Sequence, residues 1–209
     1  MPYVTNIYVV AAICGNFWQE STVNPGIWEN LTENAPGYGL GQWTDNPSIG
    51  LYRRTDLFNY LETNGYSLDD GNAQLQYLIL ENSWVPTGAG YQSDYDTLTE
   101  FLESTSTNLS DLVYEFFHHW EGIDDGTGNV RLQFAEELID NVFPDDDGTR
   151  NPWYKGNFYL TRSQAKSNAL LIKDFLMGTT PPVPPIPPHT RKRKGLPVWL
   201  MYKLSKGEI

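Results

Sequence analysis

The chain has 209 residues, enough to bury a full hydrophobic core, and 14% of them are aromatic, a composition that excludes a disordered protein. Its only cysteine, Cys14, excludes an intramolecular disulfide, so the fold does not depend on an oxidising compartment. The formal net charge is −12, and residues 1–188 alone carry −17, which argues against nucleic-acid binding because such a surface repels phosphate.

Apolar residues recurring at helical spacing predict an all-α, mainly helical fold. The first predicted helix, 5–21, contains a block from Ile7 to Trp18 without any charged side chain. Six more follow at 53–63, 70–81, 94–103, 109–121, 129–140 and 161–177. Ser93 and Asn108 are the predicted N-caps of the fourth and fifth helices, and Thr161 opens the seventh. Loops rich in Gly, Pro, Asn and Asp connect them, notably 24–50 and 144–160.

A change of composition near residue 178 predicts a domain boundary. Residues 1–178 form the predicted domain, and six prolines within 179–190 predict an extended polyproline linker. Residues 191–209 form a short tail that is basic and apolar. The tail could dock on a partner protein, lie on a membrane surface, or lead into a further domain. The N-terminal apolar block lacks preceding basic residues, so we expect no Sec export signal.

Glu20 is the first carboxylate of the chain and follows directly on the uncharged block. On a helix, the side chains nearest to it in angle are those of Val9, Ile13, Asn16 and Phe17. A carboxyl on such an apolar face has a raised pKa, as a general acid working near neutral pH requires. The alternative interpretation is a glutamate that ends a helix and faces water.

Several segments resemble the phage tail lysozyme family, within the superfamily of goose-type lysozymes and lytic transglycosylases. They are GNFWQESTVNP (15–25), GYGLGQWT (37–44), the arginine pair Arg53 and Arg54, QLQYLILE (74–81) and FFHHWEGIDDGTGNVRLQFA (116–135), whose last part looks like the family's Glu-x(n)-Arg-x3-Ala ending. Together they cover most of residues 5–140 in the family's order.

This resemblance implies cleavage of the β-1,4 bond between N-acetylmuramic acid and N-acetylglucosamine in peptidoglycan. It makes Glu20 the acid that protonates the glycosidic oxygen, in a lysozyme-like domain. Glycines 37, 39 and 41 are expected to let the backbone approach the sugar. The expected substrate-binding residues are Tyr38, Gly39, Gln42 and Trp43.

Two residues are candidates for the second catalytic group. Asp45 lies one position beyond the place where goose-type lysozymes carry an aspartate, and Thr44 occupies that place. If Asp45 positions a water, with help from Thr44, the enzyme is inverting. If neither acts, the muramic acid's own hydroxyl closes on the sugar, as in a lytic transglycosylase. Asp45 can equally be a turn residue before Asn46 and Pro47.

Other reactive side chains have structural interpretations. We expect Cys14 to be a packed, inert thiol in the first helix. His118 and His119 point about 100° apart on a helix and do not predict a metal site, so we expect neither metal nor cofactor. Glu121 and Arg131 are predicted to pair across a loop, and Glu81 is a weaker alternative site residue.

The resemblance also implies a location and partners. It predicts a protein made in the host cytoplasm and built into a virion tail, which opens the bacterial wall during entry. Peptidoglycan strands are the expected substrate, and other phage tail proteins are expected partners through residues 179–209. Two alternatives stay open: a non-catalytic component that grips glycan strands, and an endolysin that acts free of the virion.

Overall fold

The computed structural model describes residues 2–122 and 124–178. The predicted linker at 179–190 and tail at 191–209 lie outside the described residues. Within the described part, seven α-helices and one small sheet make a mainly helical fold, which confirms the predicted fold class. The helices are α1 (Ile7–Ser21), α2 (Arg53–Asn64), α3 (Gly71–Glu81), α4 (Leu98–Leu102), α5 (Leu109–Phe116), α6 (Gly128–Glu137) and α7 (Arg162–Leu176), and the strands are β1 (Gly37–Tyr38), β2 (Trp43–Asn46) and β3 (Leu51–Tyr52).

Helix α1 lies at the centre of the fold and packs against α5, α6 and α7. Residues 9–17 are all buried, which explains why the sequence keeps charged side chains out of this segment. The helix begins after Asn6, whose side chain accepts a hydrogen bond from the amide of Tyr8 (3.0 Å). It ends where Thr22 adopts a left-handed conformation, with φ of 53°.

Strands β1 and β2 lie within the segment predicted as the loop 24–50, and β3 follows directly after it. Strand β2 pairs with β1 and with β3, and both pairings are antiparallel. Tyr38 faces Trp43 across the first pair, and Asp45 faces Tyr52 across the second. These strands contain only two to four residues each, too few to produce a readable alternation of apolar and polar side chains.

Of the two predicted helix caps, Asn108 is confirmed. The side chain of Asn108 accepts a hydrogen bond from the amide of Asp111, and Thr161 forms a capping box with Gln164. The predicted cap Ser93 is wrong, because α4 begins later, after Thr97. The Ser93 hydroxyl instead donates a hydrogen bond to Glu115 Oε2 of α5 (2.6 Å).

Helices α5 and α6 each continue into a wider, π-helical turn, at Phe117–Glu121 and at Leu138–Val142. The first of these turns carries Trp120, whose ring stacks on Phe116 at 4.9 Å, and ends with Glu121. Wide turns of this kind are frequent at functional sites. In the described part of the chain, no helix is long and apolar enough to cross a bilayer.

Helix α7 closes the fold against both ends of α1. The backbone amides of Tyr3 and Val4 each donate to the carbonyl of Leu176, at 2.9 Å. The side-chain amide of Asn168 donates to the carbonyl of Val23, at 2.8 Å, just after α1 ends. The segment before α7 is thereby held next to the C-terminal end of α1, where Glu20 lies.

Candidate active site

A cavity of about 500 Å³ opens beside the C-terminal end of α1. Its walls come from distant parts of the sequence: the last turn of α1, the segment after it, the β-strand region, the start of α2, the π-helical turn after α5 and the segment before α7. The lining residues include Gln19, Glu20, Trp28, Glu29, Gln42, Thr44, Arg53, Glu121 and Tyr159.

Glu20 lies in the last turn of α1 and lines this cavity. Its predicted neighbours on the helix face, Val9, Ile13, Asn16 and Phe17, are all fully buried. The Glu20 side chain itself is 18% exposed. Burial raises the pKa of Glu20 above its ordinary value, the charges of Asp125 and Glu29 add to that effect, and Arg131 opposes it.

Arg131 from α6 is the ion-pair partner of Glu20. Its Nη2 lies 2.6 Å from Glu20 Oε1, and its side chain is fully buried. Nη1 donates to Asn16 Oδ1 (3.2 Å) and Nε donates to Thr127 Oγ1 (3.1 Å), while the guanidinium lies 4.1 Å from the centre of the Phe117 ring. The predicted Glu121–Arg131 ion pair is therefore wrong: Arg131 pairs with Glu20.

Glu121 is another carboxyl in the same cavity, besides Glu20 and Glu29, and the sequence patterns did not assign it there. It is partly exposed, but its Oε1 is buried without a hydrogen-bond partner in the described part of the chain. Burial and the charge of Glu20 raise the pKa of Glu121 well above its ordinary value. Its position at the end of the π-helical turn depends on tertiary packing, which local sequence does not reveal.

Gln42 and Thr44 lie where the sequence predicts, on the cavity wall beside Glu20. Gln42 has φ of 47°, in the turn between β1 and β2, and its Nε2 donates to the carbonyl of Gly39 (3.0 Å). The Thr44 hydroxyl donates to the carbonyl of Gln42 (2.7 Å) and stays exposed. Both side chains can therefore meet a ligand that enters the cavity.

Asp45 is not among the residues that line the cavity. Its Oδ1 accepts from the amide of Thr55 (3.0 Å), and its Oδ2 accepts from the hydroxyl of Thr55 (2.7 Å) and from Arg54 Nη2 (3.1 Å). Its side chain is 10% exposed. These contacts tie strand β2 to the first turn of α2, which favours the structural interpretation of Asp45.

Three predicted sugar contacts face the protein interior instead. Trp43 is fully buried, packs edge-on against Trp120 at 5.6 Å and donates from Nε1 to Glu81 Oε2 (3.2 Å), so it has no free ring face for a sugar. Tyr38 is only 4% exposed and packs against Trp28 at 4.7 Å. Gly39 is also buried. The burial of these residues does not favour direct contact with a substrate, so their binding role stays a prediction.

The glycines of this segment serve close packing within the protein. At Gly39, where φ is +79°, a Cβ would lie 2.6 Å from Gln74 Oε1. At Gly41 a Cβ would lie 2.3 Å from the Trp120 ring. Glycines 39 and 41 thus allow the backbone of this turn to pack closely against Gln74 of α3 and against Trp120.

Aromatic surface in the cavity comes from Trp28 and Tyr159, which the sequence patterns did not single out. Tyr159 is 57% exposed. Asn24 holds the segment that contains Tyr159 in place, since its side-chain amide donates to the carbonyls of Gly156 (2.8 Å) and Phe158 (2.6 Å). No local signal could have predicted Tyr159, because it approaches the cavity from the opposite end of the domain sequence.

The remaining reactive residues lie in structural settings. Cys14 is fully buried, and burial raises the pKa of its thiol. Glu81 is held by Arg53, whose Nε lies 2.7 Å from Glu81 Oε1. His118 stacks on Tyr91 at 4.0 Å. Within residues 2–122 and 124–178, no group of three or more histidine, cysteine or acidic side chains is arranged to hold a metal ion.

Comparison with known proteins agrees with this geometry. Residues 5–142 match the family model described as "Phage tail lysozyme". Morphogenesis protein 1 of Bacillus phage B103 is 40% identical over 119 residues, which is 53% of this chain and 28% of that relative. The matched region thus spans less than a third of the relative's length. Because the family match covers α1 to α6 and every wall of the cavity except Tyr159, this chain belongs to the phage tail lysozyme family.

Proposed function

We propose that this protein is a muramidase that cleaves the β-1,4 bond between N-acetylmuramic acid and N-acetylglucosamine in peptidoglycan. The observation that carries the proposal is the shielded carboxyl of Glu20, 18% exposed, beside a cavity of about 500 Å³ in a phage tail lysozyme family member. That volume lies within the range of ligand pockets, which typically span about 300–1,000 Å³.

Glu20 is the proposed acid. Its raised pKa keeps a proton on the carboxyl over a wider pH range than an ordinary glutamate would. The proton passes to the glycosidic oxygen as the bond to the anomeric carbon breaks. Trp28 and Tyr159 offer aromatic surface for sugar rings, and Gln42 offers polar atoms for their hydroxyl groups.

A lytic transglycosylase reaction is the second candidate, because Asp45, the residue predicted to act as the base of an inverting hydrolase, lies outside the cavity. An inverting hydrolase requires a carboxylate that activates a water across the ring. The carboxylate of Asp45 is occupied by Arg54 and Thr55, outside the cavity. In the transglycosylase reaction, the muramic acid's own hydroxyl attacks the anomeric carbon. Thr44, which lines the cavity, would hold the attacking water in the hydrolytic alternative.

We further propose a virion tail location, with the activity used to open the bacterial wall during entry. The family description refers to phage tails, and the name of the B103 relative refers to morphogenesis. Western blotting of purified virions against the soluble lysate tests this location. Protein found only in the soluble lysate would instead indicate an endolysin.

The catalytic proposal is tested by the clearing of purified cell walls. Glu20→Gln keeps the size of the side chain but cannot donate the proton, so we expect at least a thousandfold loss of the clearing rate. Glu33→Gln is the matched control, because Glu33 is exposed and lies outside the cavity. It should clear walls like the native protein.

Two further measurements complete the test. Thermal unfolding must show that Glu20→Gln is folded, because the change removes the negative charge next to the buried Arg131. Mass spectrometry of the released fragments separates the reactions, since only transglycosylation leaves 1,6-anhydro ends. No clearing by the native protein, or equal clearing by folded Glu20→Gln, would indicate a glycan-binding or structural component instead.

A further inference from the structure

The cavity contains a carboxyl group that the proposed reaction does not use. Glu121 lines the same cavity as Glu20, yet its Oε1 is buried and accepts no hydrogen bond from any described residue. A buried acceptor left without a donor costs about 1–3 kcal/mol, and more when it is charged. An ionised carboxylate would therefore be poorly accommodated at this position.

The charges that face Glu121 also favour its neutral form. They come from four helices: Glu20 on α1, Arg53 on α2, Glu81 on α3 and Arg131 on α6. Arg53 is already neutralised by Glu81, with contacts of 2.7 Å and 3.0 Å. Arg131 lies closest to Glu20, at 2.6 Å. Both arginines thus have other acids as their direct partners, and ionising Glu121 together with Glu20 and Glu81 would place three negative charges beside two positive ones.

Groups further out do not change this balance. Asp125, whose carboxylate lies 3.8 Å from Arg131, and Glu29, which also lines the cavity, both add negative charge near Glu20. The raised pKa of Glu121 has the same direction and causes, burial first and then the charge of Glu20. The described part of the chain contains no ion-pair partner for Glu121 within 4.0 Å.

We propose that Glu121 is a substrate-positioning residue, a neutral carboxylic acid that donates a hydrogen bond to an oxygen acceptor of a bound amino sugar. Sugar hydroxyl and acetamido oxygens accept such bonds, and a neutral acid in an apolar site is an established kind of donor. The inference rests on the proposed glycan binding, but it does not require cleavage.

Binding of N,N′,N″,N‴-tetraacetylchitotetraose, measured by calorimetry from about pH 6 to about pH 9, tests the inference, since burial and the charge of Glu20 raise the pKa of Glu121 well above its ordinary value. Native protein should bind at least tenfold more weakly once Glu121 ionises, because it loses the donor and gains a negative charge. Glu121→Gln keeps a donor that does not titrate, so its affinity should not show the tenfold decrease expected of native protein. Glu121→Ala should bind at least tenfold more weakly than native protein at pH 6.

The control and the opposing outcomes are specific. Glu33→Gln should reproduce the native pH dependence, since Glu33 lies outside the cavity. The same pH dependence in native protein and Glu121→Gln, or no oligosaccharide binding by native protein, would overturn the proposal. These results are independent of wall clearing, so the catalytic proposal can fail while the binding inference holds.

A second measurement needs no ligand. Infrared spectroscopy at neutral pH should show the carbonyl band of a protonated carboxylic acid in native protein. Glu121→Gln should lose the part of that band that Glu121 contributes, whereas Glu33→Gln should keep the native band. Its absence from native protein would overturn the proposal. Thermal unfolding of each variant shows whether it is folded, and the native spectrum tests the inference even if a variant is not.

Discussion

Arg131 is the residue on which the geometry of the site depends. Transferring a guanidinium from water to the interior costs several kcal/mol, which its partners must offset. Glu20 supplies the counter-charge, and Asn16, Thr127 and the Phe117 ring supply the remaining contacts. Two opposing effects therefore act on the pKa of Glu20: the ion pair with Arg131 lowers it, and burial raises it. Burial is the larger effect, so the carboxyl keeps an elevated pKa.

A substitution at Asp45 separates its structural interpretation from the catalytic one. We expect Asp45→Asn to lower the free energy of unfolding by about 1–2 kcal/mol, because it weakens charge-assisted hydrogen bonds to Thr55 and Arg54. The wall-clearing rate of the folded variant should stay within about twofold of the native rate. Urea unfolding and turbidity measurements check the two quantities. A large loss of rate with unchanged stability would favour the water-positioning role.

At the site, the sequence predicted the residues that lie close together along the chain and missed those that fold brings together. Glu20, Gln42 and Thr44 line the cavity as expected. The contribution of Arg131 was visible in principle: Arg131, Phe134, Ala135 and Leu138 form one helical stripe of buried residues. The neighbouring apolar residue Val130 lies outside this stripe and is 43% exposed. An arginine inside an apolar stripe is a signal for a buried partner.

At the scale of elements, the contact between α1 and α6 brings Glu20 and Arg131 together. Gly15 makes this close approach possible, since a Cβ there would lie 2.4 Å from the carbonyl oxygen of Arg131. A second contact joins α6 to α7, where Glu137 binds Arg162 (2.6 Å and 2.9 Å) and Lys166 (2.9 Å). The Arg162 guanidinium also lies 5.2 Å from the Trp18 ring of α1.

The Glu137 cluster makes stability depend on pH in a defined window. Hydrogen bonds from Arg162 lower the pKa of Glu137 from 4.5 to about 2. A lowered folded-state pKa means that the stabilisation is present above about pH 4.5 and is lost as pH falls toward 2. We expect Glu137→Gln to cost about 1 kcal/mol at pH 7, because the partly exposed pair is screened by solvent.

Thermal unfolding of native protein and Glu137→Gln between pH 7 and pH 2 measures this effect. The difference in melting temperature should be largest at neutral pH and should vanish near pH 2, where native Glu137 becomes protonated. Glu136→Gln is the control, since Glu136 is exposed on the same helix. A difference that stays constant over the whole range would show that the ion pairs do not contribute.

The helices themselves were predictable, because their apolar periodicity spans several turns. Helix α2 begins at the predicted residue, and α3 and α7 begin one residue later than predicted. Two features were not predictable. The fourth helix is only five residues long, since Ser93 and the residues after it make tertiary contacts instead. The π-helical turns that end α5 and α6 have no local sequence signature.

At the scale of the whole molecule, the folded unit is larger than the region that matches the family. The match ends at residue 142, but α7 follows at Arg162–Leu176 and packs on α1 and α3. Tyr159, just before α7, completes a wall of the cavity. The segment after the family match therefore contributes both to the core and to the proposed glycan site.

A chain ending at residue 142 should consequently fail to fold, whereas a chain ending at residue 178 should unfold cooperatively like the full-length protein. Removing α7 exposes the surface that Ile172 and Leu176 bury, and full burial of two such side chains contributes about 3–6 kcal/mol. It also leaves the amides of Tyr3 and Val4 without their acceptor. Since domains are stable by only about 5–15 kcal/mol, this loss is decisive. Circular dichroism during heating compares the three chains. A sharp transition of the chain ending at residue 142, at the melting temperature of the full-length protein, would contradict the prediction.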